Sequence, residues 1–90
     1  MEATMEYRKV LDLIAEELGK AEEKFPGFPE DPIHAAAVVM EEAGELVRAS
    51  LQETYAYGNN MQEEAIQTAA MAIRFLLNIE KMKKRPSVQV

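Results

Sequence analysis

Apolar residues recur at alternating steps of three and four from Tyr7 through Leu11, Ile14, Leu18 and Ala21 to Phe25. Between them stand Glu6, Arg8, Lys9, Asp12, Glu16, Glu17, Lys20 and Glu23. This is the period of one face of a helix. It predicts an amphipathic helix from about Thr4 to Lys24, with Thr4 as its N-cap and its charged face in solvent. The pattern stops at Phe25-Pro26-Gly27-Phe28-Pro29-Glu30-Asp31-Pro32, where three prolines and a glycine fall between Pro26 and Pro32. Such a run is a loop. Its phenylalanines can pin it to the core or offer a stacking face to a base. Asp31 is a good N-cap and Pro32 a good first helical residue, so a second helix starts there and runs to about Thr54.

On that helix Ala36, Val39, Ala43, Leu46, Val47 and Ser50 share one side. His34, Ala37, Glu41, Glu45, Arg48 and Gln52 share the other, with Glu42 at the border. Glu41 and Glu45 are like charges at i,i+4, which costs a few tenths of a kcal/mol. Either the strip simply faces water, or a cation compensates it. Val38 lies within the strip, and Gly44 costs about 1 kcal/mol in a helix interior. Both weigh against a strip that simply faces water, and Gly44 suggests close approach by another backbone or by a ligand.

After the turn Tyr55–Asn60, Asn59 or Asn60 can cap a third helix, about Met61 to Lys84, with Glu63 as the acidic half of a capping box. From Ala65 to Ile79 only Gln67, Thr68, Arg74 and Asn78 interrupt alanine and large apolar residues. A helix apolar nearly all round is usually buried. Burying this one calls for a partner subunit as well as the other two helices. Glu64, Gln67 and Thr68 near its start then need polar partners and are expected to point into a polar site. Lys81, Lys83, Lys84 and Arg85 suit the negative end of the helix dipole, or one of them serves a phosphate. Pro86 ends the helix, leaving 86–90 as a frayed tail.

The expected fold class is therefore all-α: one domain over residues 1–90, a protomer of three long helices with or without a short additional one. Oligomerisation completes the bundle, because 90 residues bury only a modest core alone. A composition of 48% hydrophobic and 29% charged residues, with no long apolar run and no leader at Met1-Glu2-Ala3-Thr4, predicts a soluble, cytoplasmic protein with no membrane association. A net charge of -6 argues against a nucleic-acid polymer as partner. It leaves room for a single nucleotide carried with its own metal. There is no cysteine and one histidine, so metal chemistry must use oxygen ligands, which favours Mg2+ or Mn2+. Glu42 and Glu45 are three apart on helix two, as are Glu64 and Gln67 on helix three. Two such pairs facing one another can build a metal site in a helical bundle.

The cluster Glu41-Glu42-x-x-Glu45, followed by Glu64-Ala-Ile-Gln67, resembles the all-α nucleoside triphosphate pyrophosphohydrolases of the MazG-like superfamily. That family's pattern is two glutamates and a third after a two-residue gap, then a glutamate three residues before an aspartate. The resemblance covers about His34 to Ile79, and Gln67 departs from it by standing where the aspartate is expected. It implies Mg2+ held by Glu42, Glu45, Glu64 and the Gln67 position, with Glu41 orienting or deprotonating the attacking water. The implied reaction cleaves between the α and β phosphates to give a monophosphate and pyrophosphate. Arg74 or Lys81 would meet the departing pyrophosphate, and His34 lies on the carboxylate strip two turns upstream, either at the surface or in contact with substrate. The chain would work as a homodimer or homotetramer. Two other readings stay open: a phosphoribosyl-ATP pyrophosphohydrolase of the same helical class, and a non-catalytic helical oligomer that binds a nucleotide or a partner. An amide at position 67 can still ligate Mg2+ but brings no charge, so activity is expected to be weakened.

Overall fold

The computed structural model describes residues 5–55 and 61–84. These form α1 (Tyr7–Lys24), α2 (Pro32–Tyr55), α3 (Met61–Leu77) and α4 (Ile79–Lys84), with no strand among the described residues. The all-α class follows as expected. Among the described residues, no helix is long and apolar enough to cross a membrane.

α1 begins after Glu6, whose backbone is extended and whose side chain makes no capping bond; Thr4, Asn59 and Asn60, the other expected caps, lie outside the described residues. Ala21 is buried and Ile14 and Leu18 half-buried, while Tyr7, Leu11 and Phe25 at the ends of the apolar stripe are exposed. The helix closes where the Phe25 N–H donates to the Ala21 carbonyl at 2.8 Å. Pro26 then forces Phe25 out of helical geometry. α2 starts as the sequence predicts, with the His34 N–H donating to Asp31 Oδ2 at 2.9 Å and Pro32 in the first turn.

α3 carries the architecture, because both α1 and α2 pack mainly against it. α2 meets it through Ala35, Glu42 and Ala49, one residue every two turns; both alanines are buried and Glu42 is half-buried. The buried face is thus turned by roughly a quarter of the circumference from the expected one. Val39, Ala43, Leu46 and Ser50 are half-buried, but Ala36 and Val47 are exposed. Small alanines let the two backbones approach closely, and that contact outweighs the larger side chains in setting the rotation.

Two expectations for the third helix are corrected. It is not continuous to Lys84 but breaks at Asn78, where the side-chain Nδ2 donates to the Arg74 carbonyl at 2.7 Å beside the backbone N–H at 3.1 Å. Sharing one carbonyl between two donors is the local competition that disturbs a helix at asparagine. Thr68 does not point into a polar site either, since its hydroxyl donates to the Glu64 carbonyl at 2.8 Å. Within one protomer, α3 is also less covered than its composition demands: Ala70 and Arg74 are buried, but Leu76 and Leu77 are exposed.

Among the described residues the buried apolar ones are Ala21, Ala35, Ala49, Ala70 and Met82, four of them alanines. The radius of gyration is 15.6 Å, against about 12 Å for a compact chain of this length. The described helices are therefore held together around a thin core.

Candidate functional site

Two acids from different helices meet at Gln67. Oriented to satisfy its neighbours, the Gln67 amide donates to Glu42 Oε1 on α2 and to Glu64 Oε1 on its own helix, both at 3.3 Å. The amide bridges two carboxylates that would otherwise repel. Glu42 feels the crowding most: burial first, then the charges of Glu64, Glu41, Glu45 and Glu17, holds its carboxyl above the ordinary range.

Beside this bridge lies an open cavity of about 640 Å³ in the gap between α1 and α2. Its acidic side is Glu41 and Glu42 from α2, with Glu17 from α1. Lys20 and Lys24, a turn apart on α1, supply cations to the same cavity, with Arg74 from α3. Phe25, Gly27, Phe28 and Pro29 of the α1–α2 loop complete the wall.

Arg74 is only 4% exposed, and among the described residues no carboxylate pairs with it. Its Nη2 donates to the Phe25 carbonyl at 2.5 Å and to the Gly27 carbonyl at 3.2 Å, and the guanidinium lies 5.1 Å from the Phe28 ring centroid. Its Nε is buried without a partner. A buried guanidinium without a counter-ion is costly unless its donors are used; here they fix the loop that walls the cavity.

The residues expected at the site are placed as follows. Glu41, Glu42, Gln67 and Arg74 border the cavity. Glu64 joins through the Gln67 bridge. Glu45 adds to the charge felt by Glu42, but its carboxylate pairs with Arg48 on the same helix at 3.3 Å. His34 is exposed and borders a shallow depression with Glu41. Lys81 is exposed on α4 and does not line the cavity. Sequence reasoning missed Glu17, Lys20 and Lys24. They recur at steps of three and four beside Ala21, a spacing that runs along the edge of α1's apolar face and could have found them.

An all-oxygen donor set suits a hard cation, and the excess of negative charge around Glu42 suits any cation. As the side chains stand, however, no group of three His, Cys, Asp or Glu converges on a metal position among the described residues. The donor chemistry fits Mg2+, while Gln67 occupies the space between the acids that the ion would share. Compared with known protein families, with curated proteins and with solved structures, the chain matches none.

Proposed function

We propose that the chain is a Mg2+-dependent nucleoside triphosphate pyrophosphohydrolase that cleaves between the α and β phosphates, acting as a homodimer or homotetramer. The observation that carries this reading is the polarity of the cavity. Glu41 and Glu42 from α2 with Glu17 from α1 supply carboxylates, Lys20 and Lys24 from α1 supply cations, and the aromatic loop forms part of the wall. A metal-bound triphosphate has that distribution of needs: a cation site, counter-charges for its outer phosphates and an apolar wall for its base.

Glu42, Glu64 and the Gln67 carbonyl oxygen would hold Mg2+, with the Gln67 amide turned over to present that oxygen; Glu45 would join by leaving Arg48. The ion supplies charge neutralisation of the phosphates and lowers the pKa of a bound water. Glu41, exposed at the cavity's edge, would orient the attacking water and accept its proton. Lys20 and Lys24 draw the outer phosphates, and Arg74 keeps the loop in place without touching them. Incubation with a panel of ribo- and deoxyribonucleoside triphosphates and Mg2+, read by pyrophosphate release, tests the reading. Turnover that disappears in Glu41→Gln and Glu42→Ala is expected. No turnover with any triphosphate, or turnover untouched by both substitutions, would sink it; phosphoribosyl-ATP in the same panel separates the related enzyme.

A non-catalytic reading has one observation in its favour. Gln67 already satisfies Glu42 and Glu64 without an ion. On that reading nucleotide raises the melting midpoint with or without Mg2+, and no pyrophosphate appears.

A further inference from the structure

The Gln67 side chain is placed for two roles that one amide cannot play at once. Its NH2 group donates to Glu42 Oε1 and Glu64 Oε1, both at 3.3 Å, so its oxygen is directed away from both acids. Holding a cation with those acids requires that oxygen instead. The amide must then turn over, which strips both carboxylates of their donor and leaves its N–H groups where the oxygen was. Gln67 is half-buried and borders the cavity, so the displaced N–H groups need an acceptor there. A bare Mg2+ brings positive charge and no acceptor. A phosphate chain brings several.

An observation away from the acids marks the same cavity for a polyanion. Lys20 and Lys24 border it without an ion pair among the described residues. Arg74, 4% exposed, borders it with its Nε buried and unpartnered. Three carboxylates, those of Glu17, Glu41 and Glu42, share the wall with these three cations. Charges of the two signs are thus equal in number along it, and either a cation or a polyanion arriving alone upsets that balance. Arriving together they offset one another.

We propose that Gln67 is a gate that admits Mg2+ to Glu42 and Glu64 only together with a polyphosphate. The inference rests on the reading of this cavity as a metal–triphosphate site and adds a control to it. The acids are closed by their own amide until phosphate oxygens take up its N–H groups. Aspartate, expected at this position from the resemblance, has no N–H to withdraw and needs no phosphate to receive one. The departure at Gln67 therefore makes the two ligands depend on each other, beyond removing a charge.

Tripolyphosphate is the probe, since it carries the phosphate chain without a choice of base. The Gln67 side-chain N–H resonances, assigned by their disappearance in Gln67→Met, are followed with Mg2+ alone, tripolyphosphate alone and both together. They should move at a free Mg2+ concentration at least about tenfold lower when tripolyphosphate is present, a factor within the usual range of coupling between two ligands. In Gln67→Asp, melting midpoints across a Mg2+ series should show Mg2+ alone binding at least about tenfold more tightly than in the wild type, with the coupling reduced to match. Should Gln67→Asp fail to fold, the wild-type resonances decide by themselves. Resonances that respond at the same free Mg2+ with and without tripolyphosphate overturn the gate. So does a coupling undiminished in Gln67→Asp. Either result beside pyrophosphate release from a nucleoside triphosphate leaves the enzymatic reading standing, whereas coupling without turnover of any triphosphate keeps the gate and removes that reading.

Discussion

Replacing Gln67 by aspartate tests how the acidic cluster is balanced. In the wild type the amide donates to Glu42 and Glu64 at 3.3 Å each, long bonds to half-buried acceptors and so worth about 0.5–1 kcal/mol apiece. Aspartate removes both and adds a third carboxylate about 4 Å from two others. At the dielectric of a water-exposed site each new repulsion costs about 1 kcal/mol before salt screening. The sum is roughly 2–4 kcal/mol, which at about 4–8 °C per kcal/mol in a domain of this size lowers the melting midpoint by about 10–30 °C in EDTA. Mg2+ offsets much of the effect. Three carboxylates hold the ion more tightly than two and an amide, and a ligand at a hundredfold excess over its Kd returns about 2.7 kcal/mol. Melts of both proteins by circular dichroism, in EDTA and across a Mg2+ series, read this directly. Gln67→Asp melting like the wild type in EDTA would refute the bridge. Equal Mg2+ shifts in the two proteins would refute the claim that position 67 faces the ion.

Glu42→Gln should raise the metal-free midpoint by a few degrees at pH 7. The folded state holds the Glu42 proton more tightly than the unfolded chain does, so ionising this group costs stability as pH rises through and above the ordinary carboxylate value of about 4.3. Below that value both states are protonated and the advantage should vanish; a gain that persists at pH 3 would point to packing instead. Arg74→Met should leave the midpoint within several degrees, since an apolar side chain of similar length replaces a buried unpaired charge. The fluorine resonance of 4-fluorophenylalanine at Phe28 should move to its free position, and KM for the best triphosphate should rise about tenfold, the worth of about one stacked base, with kcat nearly unchanged. A collapse of kcat at constant KM would place Arg74 on the phosphates.

The helices were legible because the chain states its boundaries locally. Asp31-Pro32 caps a helix in any context, and the prolines from Pro26 to Pro32 break one. The rotation of α2 was not legible, because periodicity weighs side-chain size while α3 selected the close-approaching Ala35 and Ala49. Once that rotation is set, Glu42 follows inward and Met40 and Val47 outward. Glu42 with Glu45, and Glu64 with Gln67, could be paired within their helices from spacing. The bridging geometry could not, since it depends on the distance between two helix axes. The resemblance offered Arg74 or Lys81 to the departing pyrophosphate. The actual acceptors of Arg74, the Phe25 and Gly27 carbonyls, are separated from it by 49 and 47 residues and leave no trace in a local pattern.

Those long-range bonds also bear on how the molecule assembles and opens. α2 and α3 are neighbours in the chain and can pair early as a hairpin. α1 must close a ring of nearly fifty residues before the Arg74 guanidinium can take the carbonyls of Phe25 and Gly27. The Arg74 bonds hold the loop that walls one part of the cavity, so losing them loosens that wall without rearranging the acids. A ligand spanning Lys20 and Glu42 would reach across the ring's seam, and its binding energy would be spent in part on keeping α1 folded.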